Sequence, residues 1–284
     1  MANDIPNVRL GLSNRAENVL LVRQTLSGLA ETIDLDPVEL NDVSTAVSEA
    51  CNNVVVHAYT GGPGPLEVEI FASGPQLEVL VRDWGIGIQP REIDHEQLIG
   101  GIGLPVIRAL TRDAEFKDMP GGGTEVRMLF DTAHAQALEF GAGERPTDLE
   151  SILPSASGSD GDTLTFTVGP PSLARAVLPR VLSALAARAY FSTDRISDTQ
   201  MLADAIVAQA QGSLSASRVN VEVELQPRNL QLCIGPLRIG AGEAVLHAAT
   251  ADELGAVLER LSDGHEISRD DTSETLRLHL AERR

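Results

Sequence analysis

The stretch from Arg82 to Leu110, "RDWGIGIQPREIDHEQLIGGIGLPVIRAL", limits the fold more than any other part of the chain. An acidic residue, Asp83, leaves an apolar strand-like run, and the glycines Gly85 and Gly87 follow at alternate positions. A mostly polar segment ends at Gly100, Gly101 and Gly103, which lead into an apolar helical pattern. Glycines after a strand let a backbone turn tightly or approach a planar ligand closely. A glycine-opened helix presents unobstructed backbone N–H groups to an anion. Taken singly, each half also fits an ordinary tight turn.

The flanking sequence reads as alternating strands and helices. Residues 7–12 alternate like a strand, and 14–32 form an amphipathic helical pattern. A second helix over 37–59 opens on a strong signal. Asp36 can cap it, Pro37 suits the first helical position, and Glu39 completes a capping box. Leu40, Val43, Val47, Ala50, Val54 and Ala58 then fall on one apolar face. Runs 66–71 and 77–83 read as a hairpin, 104–112 as a helix, and 121–130 as a glycine turn entering a last strand.

Residues 1–132 therefore make one domain and 133–162 a linker, rich in Ala, Gly, Ser, Pro and Asp. Over 163–284 the same order repeats: a strand at 163–168, helices at 172–190 and 194–210, and a hairpin at 219–225 and 230–234. A helix at 251–262 and a strand at 274–280 complete it. Under a shift of 153 residues "LEVEI" lies on "VNVEV" and "LEVLV" on "LQLCI". This is the pattern of an internal duplication, and two unrelated α/β halves could also share it.

Composition excludes several classes. The net charge of −19 and the pI near 4.6 disfavour nucleic acid as a direct partner, since phosphate binding needs clustered cations. Lys117 is the only lysine. Two distant cysteines, Cys51 and Cys233, with no CxxC, argue against a disulfide framework or a zinc site. Cys51 falls on the apolar side of its helix, where a buried thiol is expected. No run of about 18 apolar residues offers a membrane span, and the N-terminal stretch lacks a signal-peptide pattern. The expectation is a cytoplasmic protein.

On the second helix Glu49, Asn53 and His57 are spaced four apart and share one face, roughly opposite the apolar one. By itself this is an ordinary solvated face. Joined in order with Asp-x-Gly-x-Gly, a loop, Gly-x-Gly before a helix, and Gly-Thr on a strand, it becomes specific. The order resembles the histidine-kinase-like ATPase superfamily, the Bergerat fold. "EACNNVVVHAY" looks like its N box, "DWGIGI" and "GGIGLPVI" its glycine boxes, and "GGGTEVRM" its closing motif, over about residues 8–130. Within the superfamily the likeness is to the small bacterial anti-sigma-factor serine kinases, through Glu49, Asn53, His57 and Tyr59.

The resemblance implies an α+β fold, a two-layer α/β sandwich, and the repeated element pattern adds a second, degenerate copy of the same unit. It implies ATP and Mg²⁺ as ligands, a sigma factor as partner, and a STAS-domain antagonist phosphorylated on serine. Glu49 would be the general base and Asn53 the Mg²⁺ ligand. Asp83 would take the adenine amino group, with Gly85 and Gly87 close to the base. Gly101 and Gly103 would present N–H groups to the phosphates, and Thr124 would support the adenine end through Asp83 or a water. The lid over 89–100 carries one formal cation, Arg91, with His95 a second donor, so no clear basic residue is aimed at the γ-phosphate. The alternative is a non-catalytic ATP-binding module whose nucleotide state shapes a docking surface.

In the second half the ligands are gone. Asp204 stands for Glu49, Ala208 for Asn53 and Pro236 for Asp83, and no Gly-x-Gly opens the helix. That half is expected not to bind ATP, and to serve as an intrachain pseudo-dimer partner or a protein-docking face. A homodimer of the whole chain is the other expectation. A histidine-kinase or gyrase-like role is disfavoured because the phospho-acceptor hairpin and the further domains are not seen.

Overall fold

The computed structural model describes residues 5–60, 62–87, 103–133, 135–138, 162–215, 218–247 and 256–283. They divide into two compact units, residues up to 138 and residues from 162. Both are α+β, with helices set against an antiparallel sheet.

In the first unit the elements are β1 (Val8–Ser13), α1 (Ala16–Ile33), α2 (Pro37–Asn53), a π turn (Val54–Ala58), β2 (Pro65–Ala72), β3 (Gln76–Asp83), α3 (Gly103–Leu110), β4 (Asp113–Asp118) and β5 (Thr124–Asp131). The sheet order is β4-β5-β3-β2-β1, antiparallel throughout. Alternation decides the two faces. Leu10, Val68, Val79, Val81 and Met128 are fully buried, as are Val22 of α1 and Val47 of α2. Cys51 lies on the same buried side of α2, and burial pushes its thiol up to about 12.

The alternate positions of the strands carry charge. Arg9 faces Glu69, and Arg82 faces Glu67 on one side and Glu125 on the other. Arg82 reaches Glu69 at 2.6 Å, Glu125 at 2.7 Å and Glu67 at 3.0 Å, and Arg9 reaches Glu67 at 2.6 Å. Glu67 is only 3% exposed, so its charge depends on these two guanidinium partners.

The cap of α2 forms as its sequence dictates. Asp36 accepts from the Val38 amide at 2.8 Å, and the Glu39 carboxylate closes the box. Glu39 also accepts from the Ala133 amide at 2.9 Å, tying the first turn of α2 to the end of the sheet. Past Asn53 the helix departs from expectation: it widens into a π turn before Tyr59. Residues 135–138 stay with the first unit, where Gln136 donates to the Ile33 carbonyl and Leu138 to that of Ala72.

The second unit comprises β6 (Asp162–Val168), α4 (Pro171–Arg188), α5 (Thr193–Ser213), β7 (Val219–Gln226), β8 (Asn229–Leu237), α6 (Ala241–Leu246), α7 (Val257–Leu261), β9 (Gly264–Arg269) and β10 (Glu274–Ala281). Its sheet order is β9-β10-β8-β7-β6, again antiparallel. Of the expected helix over 251–262 the described residues form α7, which opens after the extended Ala256; residues 248–255 lie outside the described ones. β4 and β9 have no counterpart in the sequence reading. Both are edge strands whose mixed, charged sequences, "DAEFKD" and "GHEISR", lack a clean apolar alternation.

Arg195 of α5 anchors this unit while 2% exposed. Its guanidinium donates to the carbonyls of Leu261 at 2.8 Å and Ala281 at 3.0 Å and pairs with Asp263. Burial would raise the Asp263 pKa, but the Ala281 amide, Arg195 and Arg283 together hold it below the usual value. Replacing Arg195 with Met should lower the stability of the second unit by about 2–4 kcal/mol, since two buried carbonyls and a carboxylate lose their donor. Urea unfolding of the variant measures this.

Candidate functional site

Asn53, the last residue of α2, and Glu49, one turn before it, lie beside the start of α3. A Cβ built on Gly103 would stand 3.1 Å from Glu49 Oε2 and 3.4 Å from Asn53 Oδ1. Gly103 therefore lets the N-terminus of α3 approach a carboxylate and an amide carried by α2. Glu49 and Asn53 are both half-buried, open enough to meet a ligand. Gly101 and the segment 89–100 lie outside the described residues.

Asp83 closes β3 and is 3% exposed. Its Oδ1 accepts the Gly85 amide at 2.8 Å, and the Thr124 amide and hydroxyl lie near enough to favour the charged carboxylate. Burial raises its pKa above the ordinary 3.8, against the pull of the Gly85 amide and of Thr124. Thr124, on β5, thus supports Asp83 directly.

The glycines near Asp83 are required by packing within the fold. A Cβ on Gly85 would lie 1.9 Å from the Ala58 carbonyl oxygen. One on Gly123 would lie 2.0 Å from the Asp83 carbonyl oxygen, at a φ of +94°. Gly87 has φ +74° and sits against Asp118 and the Gly123 carbonyl. The loop after β3 is therefore held between the π turn on one side and the glycine turn 121–123 on the other.

Sequence reasoning missed Ala58 and Gly123 and gave Tyr59 no role. The Tyr59 hydroxyl accepts the Trp84 amide at 2.8 Å and donates to the Pro65 carbonyl at 2.5 Å. The Ile86 amide donates to the Ala58 carbonyl at 2.9 Å. The only available signal was the spacing of Tyr59 behind Glu49 and Asn53. Around this region Val56, Trp84, Ile86 and Leu104 are exposed apolar side chains.

A helix-borne carboxylate and amide thus meet the start of a second helix, and a buried strand-end aspartate stands among glycines. Residues 12–130 match the family described as the histidine kinase-like ATPase domain. An anti-sigma F factor of Thermoanaerobacter sp. (strain X514) is 30% identical over 129 residues, 43% of this chain and 90% of that protein. One from Caldanaerobacter subterraneus subsp. tengcongensis is 29% identical over the same shares. The serine-protein kinase RsbW of Bacillus mycoides is 28% identical over 127 residues, 40% of this chain and 79% of that protein. The chain belongs to this histidine-kinase-like ATPase family, through its first unit.

Among the described residues no helix is long and apolar enough to cross a membrane.

Two glycines separate the packing requirement from backbone conformation alone. Gly85→Ala should destabilise the first unit by at least about 3 kcal/mol, because the obstacle is backbone. Gly121→Ala meets nothing within 4 Å and bears only the strain of φ +100°, so it should cost about 1–2 kcal/mol. Thermal unfolding of the two variants should rank them in that order.

Proposed function

We propose that this protein is an ATP-dependent regulator that sequesters a sigma factor and phosphorylates a serine on a STAS-type antagonist. The observation that carries the reading is the meeting of Glu49, Asn53 and the start of α3 at Gly103. Family membership and the names of the relatives support it.

In this reading Asp83 accepts the adenine amino group, and the Gly85 amide and Thr124 fix where the acceptor points. The N-terminus of α3 lends its backbone N–H groups and dipole to the phosphates. Glu49 takes the proton from the antagonist's serine hydroxyl as the oxygen forms its bond to the γ-phosphorus and the bond to ADP breaks. The amide oxygen of Asn53, beside Glu49, suits a hard cation and would hold the Mg²⁺. That ion, when bound, neutralises phosphate charge.

The second unit is, on this proposal, a degenerate copy that binds no nucleotide and serves protein docking. The matching strand orders support it. A similar tether occurs at a position one residue earlier than the 153-residue shift gives: the Arg238 amide donates to the Ser213 carbonyl at 2.7 Å, as that of Ile86 does to Ala58. Gly240, under the same 153-residue shift, has a left-handed φ of +83° where Gly87 has +74°. The chemistry differs. Glu274 opens β10 as Thr124 opens β5, and its carboxylate accepts the Gly240 and Gly242 amides at 2.8 and 2.9 Å. Those amides, at the N-cap and first turn of α6, are thereby committed to a side chain of the same unit.

A second reading is a non-catalytic ATP-binding module. It is favoured by one feature, the single formal cation, Arg91, in the 89–100 segment. Incubation with Mg²⁺, radiolabelled ATP and a candidate STAS protein separates the two. Label transfer that is lost in Glu49→Ala, with nucleotide binding retained, supports the kinase; binding without transfer to any candidate supports the module.

The raised pKa of Asp83 gives a second test. Only the ionised carboxylate accepts the amino proton well, so affinity should fall as pH drops through a midpoint above the ordinary 3.8. Calorimetric titration with an ATP analogue between neutral and acid pH should show this loss in the natural protein. Asp83→Asn should bind more weakly and lack that titration step.

A further inference from the structure

Three successive amides of the loop after β3 have partners inside the fold. Trp84 N–H donates to Tyr59 Oη at 2.8 Å, Gly85 N–H to Asp83 Oδ1 at 2.8 Å, and Ile86 N–H to the Ala58 carbonyl at 2.9 Å. Two of the three acceptors, Ala58 and Tyr59, close the α2–π-turn segment, and the last turn of α2 just before the π turn carries Glu49 and Asn53. One stretch of chain therefore governs both the loop that holds Asp83 and the groups beside α3.

Tyr59 is itself fixed from behind. Its hydroxyl donates to the Pro65 carbonyl at 2.5 Å, at the start of β2. A Cβ on Gly64 would lie 2.2 Å from Tyr59 Cε1, so the ring lies flush against that glycine backbone. Gly64 is tied in turn to Asn14, which accepts its amide through Oδ1 at 2.7 Å and donates its own amide to the Gly64 carbonyl at 2.8 Å. The hydroxyl must keep its proton to donate to Pro65 while accepting from Trp84. Burial, the largest influence, raises its pKa to about 12, so the proton stays throughout the physiological range.

We propose that Tyr59 is a positioning residue for nucleotide recognition: by clamping the Trp84 amide to the end of α2, it sets the distance and angle between Asp83 and the Glu49–Asn53 pair. The inference rests on the proposed ATP-binding role of the first unit and adds a residue that touches no ligand itself. It explains the π turn. The wider turn at Val54–Ala58 brings the Ala58 carbonyl and the Tyr59 hydroxyl to bear on the same loop. Loss of the hydroxyl strands the Trp84 amide and frees the loop to shift, while the groups at α3 stay in place. Selectivity for adenine should then suffer more than phosphate binding.

The test compares ATP with GTP on the full chain, natural and Tyr59→Phe, by calorimetry and by the fluorescence of Trp84, the only tryptophan. Phenylalanine keeps the ring against Gly64 and removes both hydrogen bonds. ATP affinity should fall about 10-fold, of the order of one lost hydrogen bond, and GTP affinity much less, so the ATP/GTP ratio collapses. The ratio does not depend on the fraction of folded protein, which keeps the result readable if Tyr59→Phe is less stable. Gly64→Ala, which pushes the ring from the other side, should lower the ratio as well. An unchanged ratio in both variants overturns the inference, whether the affinities hold or fall together. Failure of the natural protein to bind ATP overturns instead the reading on which the inference stands.

Discussion

The candidate site stands on one close approach, that of the Gly85 backbone to the carbonyl of Ala58. Any side chain at position 85 would occupy the place of that oxygen. The approach lets Ile86 donate to Ala58 and Trp84 donate to Tyr59, and it leaves the Gly85 amide directed at Asp83. From the opposite side Gly123 packs on the Asp83 and Trp84 backbone, which brings Thr124 onto the same carboxylate. A buried aspartate is costly unless its hydrogen-bonding capacity is met. Here that capacity is met by donors that exist only because two backbones can pass between glycines.

Much of this was legible from residue spacing. The Asp36, Pro37 and Glu39 signal formed as a capping box, because a cap depends on residues a few positions apart. The apolar face of α2 was legible for the same reason, and with it the orientation of Glu49 and Asn53. Thr124 beside Asp83 could be anticipated because an ordered set of motifs placed both at one end of a sheet. Spacing marks Gly85 as serving either a tight turn or a close approach to a planar ligand; its immediate neighbour within the fold is the Ala58 carbonyl. That neighbour is distant in sequence, and no local pattern encodes it. The π turn escaped for a related reason: "VVVHA" suits an α-helix continuation as well. The edge strands β4 and β9 escaped because each pairs with one strand only among the described residues and their sequences need not alternate.

The two units use one connectivity with different chemistry. In the first, a carboxylate at the end of β3 is held by the loop that follows it and by the first residue of β5. In the second, proline occupies the β3-end position and the carboxylate stands at the start of β10, satisfied by amides at the N-cap and first turn of α6. The first turn of the second helix is also tied to the end of the last strand in both. Glu39 does so by accepting an amide, and Arg195 by donating to a carbonyl. Framework contacts recur while Asn53 and Asp83 have no like residue in the second unit, which is what the proposal of a degenerate copy rests on.

That account makes the number of nucleotides per chain its most direct measure. Calorimetric titration of the full chain with a non-hydrolysable ATP analogue and Mg²⁺ should give one site per chain, abolished by Asp83→Ala and unaffected by Glu274→Gln. Two sites per chain, or a single site that survives Asp83→Ala, would contradict it.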